Sequence, residues 1–186
     1  MEKSSKNNGI SNKEVVEDFR QYCRDVPDFP KKGIVFKDIT TLLKDGKVFK
    51  RAIDALAAHF KGQKIDTIAC IDARGFLIGA ALAYKIGCGL VPIRKKGKLP
   101  WKVYRQSYDL EYGQDTLEIH QDAFTPGSRV LIVDDVLATG GTAAAVAALI
   151  SKMQGEIVGI AFLMELKELK GRQKLPGIDI FALMDC

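Results

Sequence analysis

Two adjacent aspartates, Asp134 and Asp135, follow the apolar run Val130-Leu131-Ile132-Val133. Two residues further on comes Ala138-Thr139-Gly140-Gly141-Thr142, and then an Ala-rich segment over 143–150. Each part suits one kind of chemistry. Adjacent carboxylates accept hydrogen bonds from hydroxyls or hold a hard cation. The N–H groups of a glycine-containing turn, with the positive end of a following helix, suit a phosphate. A ligand with a phosphate, vicinal hydroxyls beside it and a magnesium ion would use every part. Asp-Asp before a glycine turn also occurs as plain connection chemistry in many α/β proteins. The full order of the segment is what makes it specific. It is not a Walker A loop, because no Gly-Lys-Ser/Thr is present, and no Gly-x-Gly-x-x-Gly follows a strand.

The elements that must position these groups can be read from the same stretch. Four apolar, mostly β-branched residues predict a strand buried on both faces, with the carboxylates where it ends. The Ala-rich segment predicts a helix. A second strand–turn–helix unit lies upstream: a strand over 67–71, the turn Asp72-Ala73-Arg74-Gly75, and a helix over 76–86. Arg74 is either a solvated loop residue or, at a strand's carboxyl end, a diphosphate ligand, with Gly75 allowing close approach. A third strand over 90–93 runs into Arg94-Lys95-Lys96-Gly97-Lys98. A basic run is commonly a solvated face. Ligands of open α/β sheets, however, bind at the carboxyl ends of strands, and this run shares that row with Arg74 and Asp134.

The rest of the chain frames this row. Ser11-Asn12-Lys13-Glu14 reads as a capping box. Val15, Val16, Phe19, Tyr22 and Cys23 behind it recur at helical spacing. That helix is expected to end before Pro27-Asp28-Phe29-Pro30. The segment 32–40 is too short for a central strand and reads as a loop. Its Phe36 is either a core plug or a flat face for a purine. A helix is predicted over 48–60. The segment 99–111, with Trp101, Tyr104 and Tyr108, lacks core-strand character. With a turn at 112–115 and a return strand over 116–120, it predicts a long, twisted hairpin standing off the sheet, of the kind used as a lid. A helix over 142–153 and strands over 157–164 and 178–184 follow, with a short helical segment over 166–174. Alternating strands and helices predict a mostly parallel central sheet flanked by helices. Residues 1–10 are expected to be disordered and 11–186 to form one domain.

The net charge of 28 − 23 = +5 suits an anionic substrate and, less well, nucleic acid. No apolar run reaches membrane-spanning length and the N-terminus lacks a signal-peptide core, so a cytoplasmic protein is expected. The four cysteines are scattered, without a Cys-x-x-Cys pair, and read as reduced thiols. His59 and His120 lack metal-ligand spacing and read as structural or solvated.

The central stretch resembles the phosphoribosyl-diphosphate (PRPP) signature of the type I phosphoribosyltransferases. Further segments, in the same order, resemble the adenine branch of that family: 26–30, 33–40, 73–76, 93–100 and 108–113, including Pro-Asp-Phe-Pro and Leu-Glu-Tyr-Gly. The resemblance implies an α/β fold with an N-terminal hood segment and a long flexible β-hairpin. It implies transfer of the phosphoribosyl group of PRPP to N9 of adenine, giving AMP and diphosphate, by a homodimer using Mg2+ carried on PRPP. Ala138, Thr139, Gly140, Gly141 and Thr142 would hold the 5′-phosphate. Asp134 and Asp135 would hold the ribose hydroxyls, directly or through magnesium-bound water. Arg74, Gly75, Arg94, Lys95 and Lys98 would bind diphosphate, in part across the dimer interface. Val35 would read the adenine edge and Phe36 would stack on its ring. Glu111, on the hairpin, would sit over the site. Many family members carry Arg where this chain has Lys37, beside the base. Lysine keeps the charge but loses the planar fork. A PRPP- or purine-sensing repressor and a transferase acting on another base are the alternatives. Against the first, only one helix precedes Pro27, which leaves no room for a winged helix. Val35, Phe36 and the Leu-Glu-Tyr-Gly segment argue for adenine.

Overall fold

The structure, a computed structural model, describes residues 17–110 and 113–186. Ser11–Glu14, Val15, Val16, Glu111 and Tyr112 lie outside the described residues. The described chain opens on a 3-10 turn, Phe19–Tyr22. Strands β1 (Arg24–Pro27) and β2 (Val35–Asp38) follow, then helices α1 (Thr40–Leu43) and α2 (Gly46–His59). Next come β3 (Thr67–Ile71), α3 (Arg74–Ile86), β4 (Gly89–Lys95), β5 (Val103–Leu110) and β6 (Gly113–His120). The chain ends with β7 (Arg129–Leu137), α4 (Gly141–Lys152), β8 (Glu156–Glu165) and β9 (Ile180–Asp185). Seven strands form the main sheet in the order β5-β6-β4-β3-β7-β8-β9. From β4 to β9 they run parallel, and β6 and β5 join antiparallel at one edge. This is the expected mostly parallel sheet.

The continuous apolar strands are explained by cover on both faces. Successive side chains leave a strand in opposite directions. Ile68, Cys70, Leu131, Val133, Ala161 and Leu163 enter one core with α2 and α3. Their neighbours Ala69, Ile71, Val130, Ile132, Ile160 and Phe162 enter the other with α4. Helix α3 lies close on the sheet because Gly75 and Gly79 fall one turn apart on its inner side. A Cβ on Gly79 would stand 2.5 Å from Cys70 Cβ, and one on Gly75 would stand 2.8 Å from Asp134 Oδ1.

Four sequence expectations are corrected. The first helix is a 3-10 turn among the described residues, and the chain then turns into β1. The segment 32–40 contains a strand, β2, that pairs with β1 apart from the main sheet. Cross-strand pairing, clamped by Arg24 on Asp38 at 2.5 Å, overrides local preference there. That hydrogen bond and those from Thr40 hold the Asp38 carboxyl down to about 2. The hairpin does not stand wholly off the sheet. At its base Arg94 faces Glu118 and Lys95 faces Leu117, so β6 extends the sheet while Leu117 and Ile119 fill the core. The strand before the acidic pair runs on through Asp134 and Asp135 to Leu137. Past Val133 it has lost β3 and pairs only with β8.

The close fit of α3 gives a stability test. Gly79→Ala is expected to destabilise the protein by about 1–3 kcal/mol, because the added methyl meets Cys70 in a packed core. A lower urea midpoint with an unchanged slope checks it. An unchanged midpoint would show that the helix–sheet contact can relax.

Candidate active site

The carboxyl ends of β3, β4 and β7 meet in one place, and the groups gather because these ends differ in length. Strand β3 stops at Ile71 and hands the chain to α3 through a cis Asp72–Ala73 peptide. Strand β7 continues past it, so the two aspartates rise beside the start of α3. Asp135 is buried, and its Oδ2 forms an ion pair with Arg74 Nε at 2.6 Å. Asp134 is half-buried and accepts the Asp135 N–H through Oδ1 at 2.9 Å.

Beyond Leu137 the chain forms a loop around a small cavity of about 60 Å³, walled by Ala138–Thr142, Asp134 and Phe162. Gly140 takes φ +78°, which a side chain rarely adopts, and is the N-cap of α4. No side chain caps α4, so the first-turn N–H groups that a helix leaves orphaned face this loop. Its shape is fixed from outside. A Cβ on Gly140 would collide with the Gly171 carbonyl, and one on Gly171 with the Ala138 carbonyl. Two backbones therefore interlock. Gly171 begins a 3-10 turn, Gly171–Lys174, which with Lys167–Leu169 makes up the short helical segment expected over 166–174. The sequence carried no sign of this contact beyond a glycine in a polar connection.

A second cavity of about 300 Å³ adjoins the first and shares Asp134 and Thr142 with it. Asp72, Arg74, Lys95 and Tyr108 line it. Each basic group here is held by a carboxylate of the chain. Asp72 Oδ2 takes both Arg94 Nε and Lys98 Nζ at 3.3 Å. Lys95 pairs with Asp115 at 3.1 Å. Arg94 and Lys98 thus stand beside the cavity through Asp72. Asp72, Asp115 and Tyr108 were not singled out as site residues from sequence. Asp72 and Asp115 look like ordinary turn residues until their partners are known.

Phe36 is half-buried, with its ring edge-on to Phe29 at 5.2 Å and the Arg74 guanidinium over it at 5.0 Å. It is therefore brought to the site through Arg74. Val35, beside it, is 51% exposed. Lys37 points elsewhere: it pairs with Asp25 across β1–β2 at 2.8 Å, and that bond raises its pKa. Glu111 lies outside the described residues.

Mg2+ commonly binds through one or two carboxylates plus substrate phosphates. Asp134 and Asp135 beside the cavity supply that donor set. Among the described residues no group of three or more His, Cys, Asp or Glu is gathered to hold a metal. All four cysteines are free thiols, as expected, and burial pushes Cys70 up to about 12. His59 stacks on Phe181 at 4.0 Å, and His120 packs edge-on to Trp101. Among the described residues no helix is long and apolar enough to cross a membrane.

Comparison with known proteins agrees on one family. The phosphoribosyl transferase domain family matches residues 39–180. The chain is 60% identical over 169 residues to the adenine phosphoribosyltransferase of Syntrophotalea carbinolica, a match spanning 91% of this chain and 99% of that one. The crystal structure of adenine phosphoribosyltransferase from Thermoanaerobacter pseudethanolicus is 54% identical with a TM-score of 0.88, covering 90% and 98% of the two chains. That of Saccharomyces cerevisiae, complexed with adenine and an imino-altritol bisphosphate, is 40% identical with a TM-score of 0.86, covering 89% and 96%.

Crowding two carboxylates has a pH signature. Burial, then the Asp135 charge, pushes the Asp134 carboxyl well up. Burial also raises Asp135, against the pull of Arg74. A raised folded pKa contributes stability below the ordinary carboxylate value of about 3.9 and loses it as pH rises through the raised value. Ligand-free Asp134→Asn is therefore expected to be more stable than wild type at neutral pH, with the gap closing as pH falls toward about 4. Thermal unfolding across pH checks this; parallel profiles for the two proteins would refute it.

Proposed function

The chain belongs to the phosphoribosyl transferase domain family, among its adenine phosphoribosyltransferases, and on that footing we propose that it converts adenine and PRPP to AMP and diphosphate, a step of purine salvage. One observation carries the reading: the loop cavity at the start of α4 opens beside the acidic pair and Arg74. A sugar phosphate with a diphosphate on its anomeric carbon has this distribution of charge.

The chemistry divides among the residues accordingly. Ala138, Thr139, Gly140, Gly141 and Thr142 hold the 5′-phosphate with N–H groups and the positive end of α4. Asp134 and Asp135 hold the ribose hydroxyls and favour the positive charge that grows on the sugar ring. Adenine N9 forms its bond to the anomeric carbon as the bond to diphosphate oxygen breaks, and the electron pair leaves on diphosphate. Arg74, next to Gly75, and Arg94, Lys95 and Lys98 exchange their carboxylate partners for that leaving group. The side chains of Asp72 and Asp135 are nearly buried, so leaving them unpaired is costly, and the charge of the diphosphate must offset that cost. Mg2+ carried on PRPP would neutralise diphosphate charge, with Asp134 and Asp135 reaching it through water. Val35 offers its backbone to the adenine edge and Phe36 its ring face. Lys37 serves the β1–β2 pair rather than the base. Glu111 takes the N9 proton, and the hairpin that carries it excludes water, which competes as nucleophile.

The protein works in the cytoplasm as a homodimer in this reading. Leu77 at 54%, Tyr84 at 92% and Leu90 at 44% exposure leave an apolar face on α3 and β4 that a second copy would cover. A monomer mass by sedimentation at micromolar protein would remove that part.

A panel of purine bases with PRPP and Mg2+ tests the reaction. Adenine is expected to be turned over and guanine, hypoxanthine and orotate to be poor; no AMP from adenine would overturn the reading. Asp134→Asn and Asp135→Asn are each expected to lower kcat/KM about 100-fold or more, as loss of oriented transition-state electrostatics does. Glu111→Gln is expected to lower kcat more than it raises KM, and an unchanged kcat would remove Glu111 from the chemistry.

A further inference from the structure

One buried carboxylate has no part in the chemistry above. Glu118, on β6, is 1% exposed. Burying a charge is costly unless it is paired and hydrogen-bonded. Both of its oxygens are engaged. Oε2 accepts the Gly97 N–H at 2.9 Å, and Oε1 accepts Arg105 Nε at 2.6 Å. Burial pushes this carboxyl up, but Arg105 and the Gly97 N–H together hold it below its ordinary value.

Gly97, at φ +79°, lies in the turn that follows β4, between Lys95 at the strand's end and Lys98. Within the turn, Lys98 N–H donates to the Lys95 carbonyl at 3.2 Å and Arg94 Nη1 donates to the Lys98 carbonyl at 3.3 Å. The backbone ties the turn to β6 once more, through Lys96 N–H on the Thr116 carbonyl at 3.0 Å. Arg105 lies on β5, the outer strand of the hairpin. Glu118 itself faces Arg94 across the β4–β6 ladder. A single side chain therefore joins the basic turn to both strands of the hairpin.

We propose that Glu118 is a positioning residue for the diphosphate end of the substrate: it fixes the turn that presents Lys95 and Lys98 and couples that turn to the hairpin. It touches no substrate, and the inference rests on the reading of the cavity as a PRPP site. The coupling runs both ways. A hairpin displaced from the sheet drags the turn with it, and a turn drawn to diphosphate pulls on the hairpin. Misplacing such cations by an ångström is enough to weaken their action. AMP carries no diphosphate, so its binding is independent of Glu118.

Two variants separate positioning from bulk stability. Glu118→Met keeps the volume and removes the acceptor; Glu118→Gln keeps an acceptor for Gly97. PRPP and AMP affinities are measured separately by calorimetry, with steady-state KM for PRPP and for adenine. The Met variant is expected to bind PRPP about tenfold more weakly and to show a matching rise in KM for PRPP. AMP affinity and KM for adenine stay within about twofold, and Gln restores PRPP binding to within about threefold. Equal losses for AMP and PRPP, or unchanged PRPP binding in the Met variant, would overturn the proposal. If the Met variant does not fold, hydrogen exchange of the wild-type Gly97 amide decides. Slow exchange that changes with diphosphate but not with AMP supports the proposal, and exchange at the rate of an open loop overturns it. Wild-type protein that binds neither ligand would overturn the reading of the cavity and this inference with it.

Discussion

The site depends on a mismatch in strand length. Strand β7 keeps β8 as a partner after β3 has ended, and this single offset lifts Asp134 and Asp135 above the neighbouring strand. The vacated place beside β7 is filled by the start of α3, which is why Gly75 must be a glycine and why Arg74 reaches Asp135. Were β3 as long as β7, the acidic pair would face a strand instead of a cavity. The two apolar cores, one on each face of the sheet, hold this offset rigid.

The electrostatics follow from the same arrangement. An excess of base does not leave the cations of this row bare. Here Arg74, Arg94, Lys95 and Lys98 each rest on an aspartate: Asp135, Asp72, Asp115 and Asp72 again. Cations are kept in place without substrate, and their mutual repulsion is screened. In the reading proposed above, an incoming polyanion competes with carboxylates already in contact. Because Asp72 and Asp135 are nearly buried, that competition is strong at Arg74, Arg94 and Lys98 and milder at Lys95, whose Asp115 is more exposed.

Much of this was legible in the sequence because it is local. The 67–71 strand, the 130–137 run and the helices that follow them are set by apolar pattern over a few residues, and the turns between them carry their own chemistry. The family relationship also showed in the order of short segments, since Asp134-Asp135 with Ala138–Thr142 is a contiguous signature. What was not legible lies in pairings between distant residues. Nothing near position 36 announces that β2 pairs with β1, because those short strands are held by a tertiary clamp. Nothing in the sequence around Lys37 shows the Asp25 that lies opposite it across β1–β2. Glu118 carries no local sign that it is buried and bonded to Arg105 and Gly97. Gly171 gives no local hint of its contact with Gly140.

That last contact has a consequence for how the protein can be altered. Gly140 and Gly171 meet backbone to backbone, so neither position tolerates a side chain while the other stays where it is. The loop over 138–142 and the β8–β9 connection are thus one mechanical part made from two pieces of chain. A designer who wished to change turnover without touching any ligand-facing residue would work on that connection. Length changes there shift the loop from behind, as a shim shifts a bearing.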